Sequence, residues 1–236
     1  MASCNQSNKQ STSKEANKEM ATMLDKYYEE RLQLFPLEAT SNGDNRYNDK
    51  LYADFTTSYR ETLKTFYSKY STEIEKFKRD DLNDNDKISY DVFKREMTMS
   101  LKGLTFQDNL TPLNQFWGKH LDMGQLGSGD GNQPFKTVKD YDDWIKRATA
   151  FSLWVDSAIV YFKKGMDANY VLPKTLTVKI IPQCKSIVVD DVTKSLFWGP
   201  IKKLPATFSD ADKQRITAEY TKLIKEQIVP SYKKFS

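Results

Sequence analysis

The chain has 236 residues, 39% hydrophobic and 29% charged, with 36 basic residues against 32 acidic ones for a net charge of +4. That length supports one sizeable domain with a real core, or two small ones. The charges are mixed along the chain without a basic run, which argues against a nucleic-acid surface, and no stretch has the apolar length of a membrane span. Thirteen Tyr and thirteen Phe are the unusual component, and they favour helices that pack through rings beneath a charged outer face.

Met1-Ala2-Ser3-Cys4 leads into a Ser/Asn/Gln-rich tail through Ser13. Such a tail has nothing to bury, and residues 1–16 read as a disordered tether. A small residue before a Cys, followed by a polar tether, resembles the end of a bacterial lipoprotein signal whose apolar segment is missing. Cys4 would then be the lipidated residue; the plainer alternative is a disordered tail with an incidental Cys. The other thiol, Cys184, lies among Ile180, Ile181, Ile187 and Val188 and reads as a small buried hydrophobe.

The first helix is predicted from about Asn17 to Leu34, with Met20, Leu24, Tyr27, Tyr28, Leu32 and Phe35 at helical spacing. Pro36 should stop it, and the turn residues Ser41 to Asn45 should reverse the chain in an αα corner. A second helix carries the stripe from Leu51 through Phe55, Tyr59, Leu63, Phe66, Tyr70 and Ile74 to Phe77, with Ser58 or Asp54 as its start.

Asp81, Asn83 and Asn85 occupy calcium-loop ligand positions. However, Asp86 stands where the loop needs Gly, and Val92 where it needs a bidentate Glu. Asp84 or Asp86 capping a third helix is the better reading, with Ile88, Val92, Phe93, Met97, Leu101 and Leu104 on its buried face.

From Thr105 to Lys136 the periodicity fails and Gly and Pro punctuate a long connection. It carries Asn114-Gln115-Phe116-Trp117-Gly118-Lys119-His120, with the sole His of the chain. Thr137 with Asp140 opens a fourth helix through Phe162, whose tryptophans read as core, and Gly165 reads as a close-packing point. Pro173 opens a fifth helix to about Asp190, with a kink expected at Pro182. Ser209 with Asp212 caps a last helix whose apolar stripe runs to the final residues as though cut. The fold class expected is all-α: an array of about six helices with long ordered loops and no significant sheet.

Catalytic signatures are sparse. One His forbids a His-Glu-x-x-His zinc helix within this chain, nothing local activates Cys184, and there is no Gly-x-Ser-x-Gly elbow. Residues of the connector and of later segments nevertheless form a pattern. Phe35-Pro36, Ala39-Thr40, Gly43, Tyr47 and Leu51 resemble the opening motif of the bacterial family catalogued as domain of unknown function 885. So do Pro112-Leu113-Asn114-Gln115 with Gly118, the Pro134-Phe135 block running through Thr137, Asp140-Tyr141 and Trp144 to Arg147, Gly165 with Pro173, and Val229-Pro230-Ser231-Tyr232.

That family resembles zincin-type metallopeptidases, with mainly helical, often lipid-anchored members and a His-Glu metal helix in the second half. The resemblance implies that residues 17–236 are the N-terminal lobe of a two-lobed envelope protein, on the periplasmic or surface side. The lobe would hold no catalytic or metal residue itself. Zinc would sit in the missing C-terminal half, which is the implied partner, alongside a peptide substrate and the membrane reached through lipidated Cys4. Asn114, Gln115 and Arg147 match the pattern and are the candidates to face a substrate cleft; equally, they could cap helices or tie down the long loop. The competing reading is a free-standing helical lipoprotein with a binding or structural role.

Overall fold

The computed structural model describes residues 15–236; the proposed lipid site, Cys4, lies outside them. Among the described residues the protein is all-helical, with nine helices rather than about six and no strand. None of these helices is long and apolar enough to cross a membrane. The helices are α1 (Lys18–Leu34), α2 (Pro36–Ser41), α3 (Thr57–Ile74), α4 (Asp84–Gly103), α5 (Lys119–Gly127), α6 (Val138–Asp167), α7 (Lys174–Lys185), α8 (Gly199–Lys202) and α9. The last runs through Asp210–Leu223, a π-helical turn at Ile224–Ile228, and Val229–Lys233.

The additional helices are the short ones, α2, α5 and α8, and they are built on residues that usually punctuate chains. Pro36 and Pro200 sit at the start of α2 and α8, where a missing N–H costs nothing because the first turn has no intrahelical acceptor. Pro36 therefore ends α1 and begins α2 at once, so the connector is not the simple corner expected from its sequence.

Chain contacts divide the described residues into two compact units, one of residues up to 29 with 64–105, the other of 30–63 with 106–236. The smaller unit packs through aromatic rings. Tyr27 stacks on Phe66 at 5.2 Å and meets Tyr70 and Phe93 edge-on at 5.0 and 4.8 Å, contacts of about 0.5–1.5 kcal/mol each beyond their burial. Its hydroxyl donates to Glu96.

Asn83, not Asp84 or Asp86, caps α4 by accepting the Asp86 N–H at 2.8 Å. Residues 84–92 are consequently helical instead of looping around a cation. Tyr90, Phe93 and Met97 form the buried face of α4, whereas Ile88 and Val92 are exposed. Phe93 and Met97 of the expected stripe are thus on the buried face; Tyr90 takes the place given to Ile88 and Val92 in the first turns.

In the larger unit α6 is the axis. Thr137 accepts the Asp140 N–H and Asp140 accepts the Thr137 N–H, the reciprocal capping box expected there. Tyr141, Trp144, Ala148, Phe151, Trp154, Val155 and Ala158 are then buried along it, the tryptophans as core. Gly165 lies inside the same helix. A Cβ there would stand 2.6 Å from the Tyr170 carbonyl oxygen and 3.0 Å from that of Leu110, so the close-packing expectation holds.

Helix α7 is shorter than expected, ending at Lys185, with Pro182 inside it. Helix α9 is capped by Ser209 as expected and buries Ile216, Tyr220, Leu223, Ile224, Ile228 and Tyr232. Its π turn ends at Ile228, two residues before Pro230, and contains Glu226, four residues before the proline. A proline ring clashes with the carbonyl four residues back, and a wider turn at that point relieves the crowding.

Candidate functional site

Arg147 is fully buried, at 0% exposure, and organises the residues of the connector. Its Nε donates to the Lys50 carbonyl at 2.9 Å, Nη1 to the Thr40 hydroxyl at 2.9 Å and the Gln133 Oε1 at 2.6 Å, and Nη2 to the Tyr47 carbonyl at 2.7 Å and, more weakly, the Pro36 carbonyl at 3.4 Å. Every N–H of the guanidinium is thereby used. Thr40 and Asn48, both buried, extend the network: the Thr40 hydroxyl lies 2.6 Å from Asn48 Oδ1, and Asn48 Nδ2 donates to Asn45 Oδ1 at 2.9 Å. Burial pushes the Arg147 pKa down to about 10, opposed by the charges of Asp49 and Asp143, so it remains a cation at neutral pH. Arg147 is thus a clasp that closes the 36–50 segment onto α6, with its donors turned into the protein.

Asn114 and Gln115 occupy a different place. The Asn114 side-chain oxygen accepts the N–H groups of Phe116 and Trp117 at 2.8 and 3.2 Å, and the Asn114 backbone N–H donates to the Trp117 carbonyl. This tight Asx-type turn leaves the rings of Phe116 and Trp117 exposed. The Gln115 carbonyl accepts from Gln183 Nε2 at 3.0 Å, which ties the turn to α7.

Gly118 closes the turn at φ 137°, ψ 163°, a region that side chains other than hydrogen do not populate. A Cβ there would fall 2.5 Å from Leu113 Cβ. Gly118→Ala is expected to destabilise the larger unit by about 2 kcal/mol or more, read as a lowered urea midpoint with the slope unchanged. A neutral result would mean that the turn is not held in this conformation.

The sole His, His120, follows in α5. It is 3% exposed, and neither ring nitrogen meets hydrogen-bond geometry with a described residue. Burial drives its pKa down to about 4 although the Gln183 side chain favours the protonated form. Cys184 is buried as expected, and burial raises its thiol to about 11. Neither residue is poised as a nucleophile or base. Among the described residues no three His, Cys, Asp or Glu side chains gather as a metal-binding group.

None of Arg147's hydrogen bonds reaches Asn114 or Gln115: the arginine holds the 36–50 segment, and the other two belong to the turn before α5. Sequence reasoning overlooked Thr40, Asn48, Gln133 and Gln183. Thr40 and Arg147 stand in separate blocks of the family pattern, and nothing local in the sequence says that an arginine so far along the chain takes its acceptors from residues 36–50.

Over residues 36–236 the chain matches the family described as "Bacterial protein of unknown function (DUF885)". It belongs to that family. Among solved structures it is similar to the one described as "the putative lipoprotein from Colwellia psychrerythraea", with a TM-score of 0.71 and 16% sequence identity, covering 92% of this chain and 40% of that one. The chain therefore spans well under half the length of that neighbour, and at this identity the likeness establishes the fold. No curated protein matches it.

Proposed function

We propose that this chain is the N-terminal helical lobe of a longer protein of the DUF885 family, anchored in the cell envelope by a lipid on Cys4. In this reading it supports one wall of a substrate cleft in a metallopeptidase-like hydrolase, and the zinc and catalytic groups belong to the other lobe. One observation carries it: nearly the whole chain, 92%, superposes on only 40% of its structural neighbour. The neighbour's description as a putative lipoprotein and the polar tail around Cys4 support the anchor; the peptide substrate and the zinc rest on the family's resemblance to zincins.

Within this reading the Asn114–Gln115 turn is the part of the lobe that meets substrate. Arg147 serves from inside, by fixing the connector. Reading the gene past the codon for Ser236 tests the proposal. An in-frame continuation with a His-Glu motif is expected, and the continued protein should retain zinc and cleave peptides. In it, Asn114→Ala and Gln115→Ala should raise KM more than they lower kcat. A stop codon directly after Ser236 would favour the free-standing lipoprotein, and a continued protein without metal or peptidase activity would defeat the hydrolase reading.

A further inference from the structure

One surface of the larger unit does not suit solvent. A groove of about 360 Å³ opens between the end of α6, the 168–172 segment, α7 and the end of α9. Phe162, Met166, Tyr170, Val171, Ile181 and Phe235 are among its lining residues. Met166 is 64% and Val171 60% exposed, and Tyr170 and Ile181 are exposed as well. The only charged residue of the lining, Lys234, has its ammonium paired with Asp156 of α6. Apolar side chains of this size, clustered and uncovered, mark a surface that something else covers.

We propose that this groove seats an apolar helix of the polypeptide that makes up the rest of a full-length family member, and so forms part of the joint between the two lobes. The proposal rests on the reading of this chain as one lobe of a longer protein. Two observations select that occupant over a second copy or a small ligand. The neighbouring structure has more than this chain's own length beyond the matched 40%, so that protein contains polypeptide of ample size to cover such a groove. Residues Lys234 and Phe235 themselves line it, so in such a longer protein the following residues leave from its rim and reach it without a long linker. The lining is nearly free of polar groups, which suits the apolar face of an amphipathic helix, with anchors spaced three and four residues apart.

The test is thiol accessibility. Val171→Cys in a Cys4→Ser background places a single reactive thiol at the groove, since Cys184 is buried. It is labelled with a maleimide in the 236-residue chain and in the same chain with its genomic continuation. Labelling should be about ten-fold or more slower in the continued protein and equal in the two once both are denatured in urea. Equal native rates in a protein that does continue would overturn the groove assignment and leave the lobe reading standing. The absence of any continuation would overturn both. Labelling of the 236-residue chain that slows as its own concentration rises would identify a second copy as the occupant and also overturn the proposal.

Discussion

Replacing Arg147 with Met should destabilise the larger unit by about 3–5 kcal/mol, because it removes one cation and orphans several buried acceptors at once. The carbonyls of Lys50 and Tyr47, the Thr40 hydroxyl and the Gln133 side chain all take their hydrogen bonds from this guanidinium. Thr40 and Gln133 are themselves buried, at 1% and 2% exposure, so water does not replace the lost donors without opening the connector. Met matches the length of the stem and fills space, which makes the loss one of polar satisfaction rather than of a cavity.

Arg147→Lys separates charge from geometry. An ammonium keeps the positive charge near Asp49 and Asp143 but has three donors where the fork has five, and a cost of about 2–3 kcal/mol is expected. Urea unfolding followed by the fluorescence of the buried Trp144 and Trp154 reads both variants. Full rescue by Lys would show that charge, not the fork, holds the connector. Thr40→Val should cost less on top of Arg147→Met than alone, since the bond between the two residues is then already gone and only the hydroxyl's bonds to Asn48 and Pro36 remain to be lost; full additivity would count against a shared network.

That clasp also shows where reading the sequence reached its limit. The all-helical class, the capping box at Thr137 and Asp140 and the Ser209 cap were legible, because each is fixed by residues within a few positions of one another; the close approach at Gly165 was legible from the glycine alone, although the Leu110 carbonyl it meets lies far back along the chain. Short helices beginning at Pro36 and Gly199 were not, since proline and glycine are read as breaks even where a first helical turn accepts them. Helix α5 hid for a similar reason: its glycines interrupt the apolar stripe that periodicity relies on. Asn114, Gln115 and Arg147 were grouped by a shared motif, yet a motif records which residues occur together and not which touch. The contacts of Arg147 lie about a hundred positions away along the chain for Thr40, Tyr47 and Lys50, a separation across which sequence patterns of local origin are silent. The exposed groove beside α7 left no signature either, because Met166, Val171 and Ile181 look like core residues until the fold shows them uncovered.

Acid should weaken this protein through His120. The imidazole takes up a proton near pH 6.5 when the chain is unfolded, but burial holds it neutral in the folded state down to about pH 4. Between those values the unfolded state binds one more proton than the folded state, so stability falls as pH falls, fully present above 6.5 and reduced by about 3 kcal/mol once pH 4 is reached. Asp122, on the same helix, works in the opposite sense. Burial raises its carboxyl above the usual carboxylate range despite the nearby Lys119, so its folded form takes up a proton first and gains stability as pH drops. The carboxylates of Asp44, Asp91 and Asp191 are held low by their hydrogen-bond partners and lose their contribution only below that range, as pH falls from about 4.

Comparison with His120→Gln isolates the imidazole from all of these. The variant stays neutral at every pH, so the difference between the two urea-unfolding curves should change by about 3 kcal/mol between pH 7 and pH 4, with the natural chain losing the more. Since the chain has one His, its ring protons also give an unambiguous NMR titration. A midpoint near 6.5 in the folded protein, or parallel pH profiles for the two chains, would show that water reaches the ring and that the environment of α5 is more open than its burial indicates.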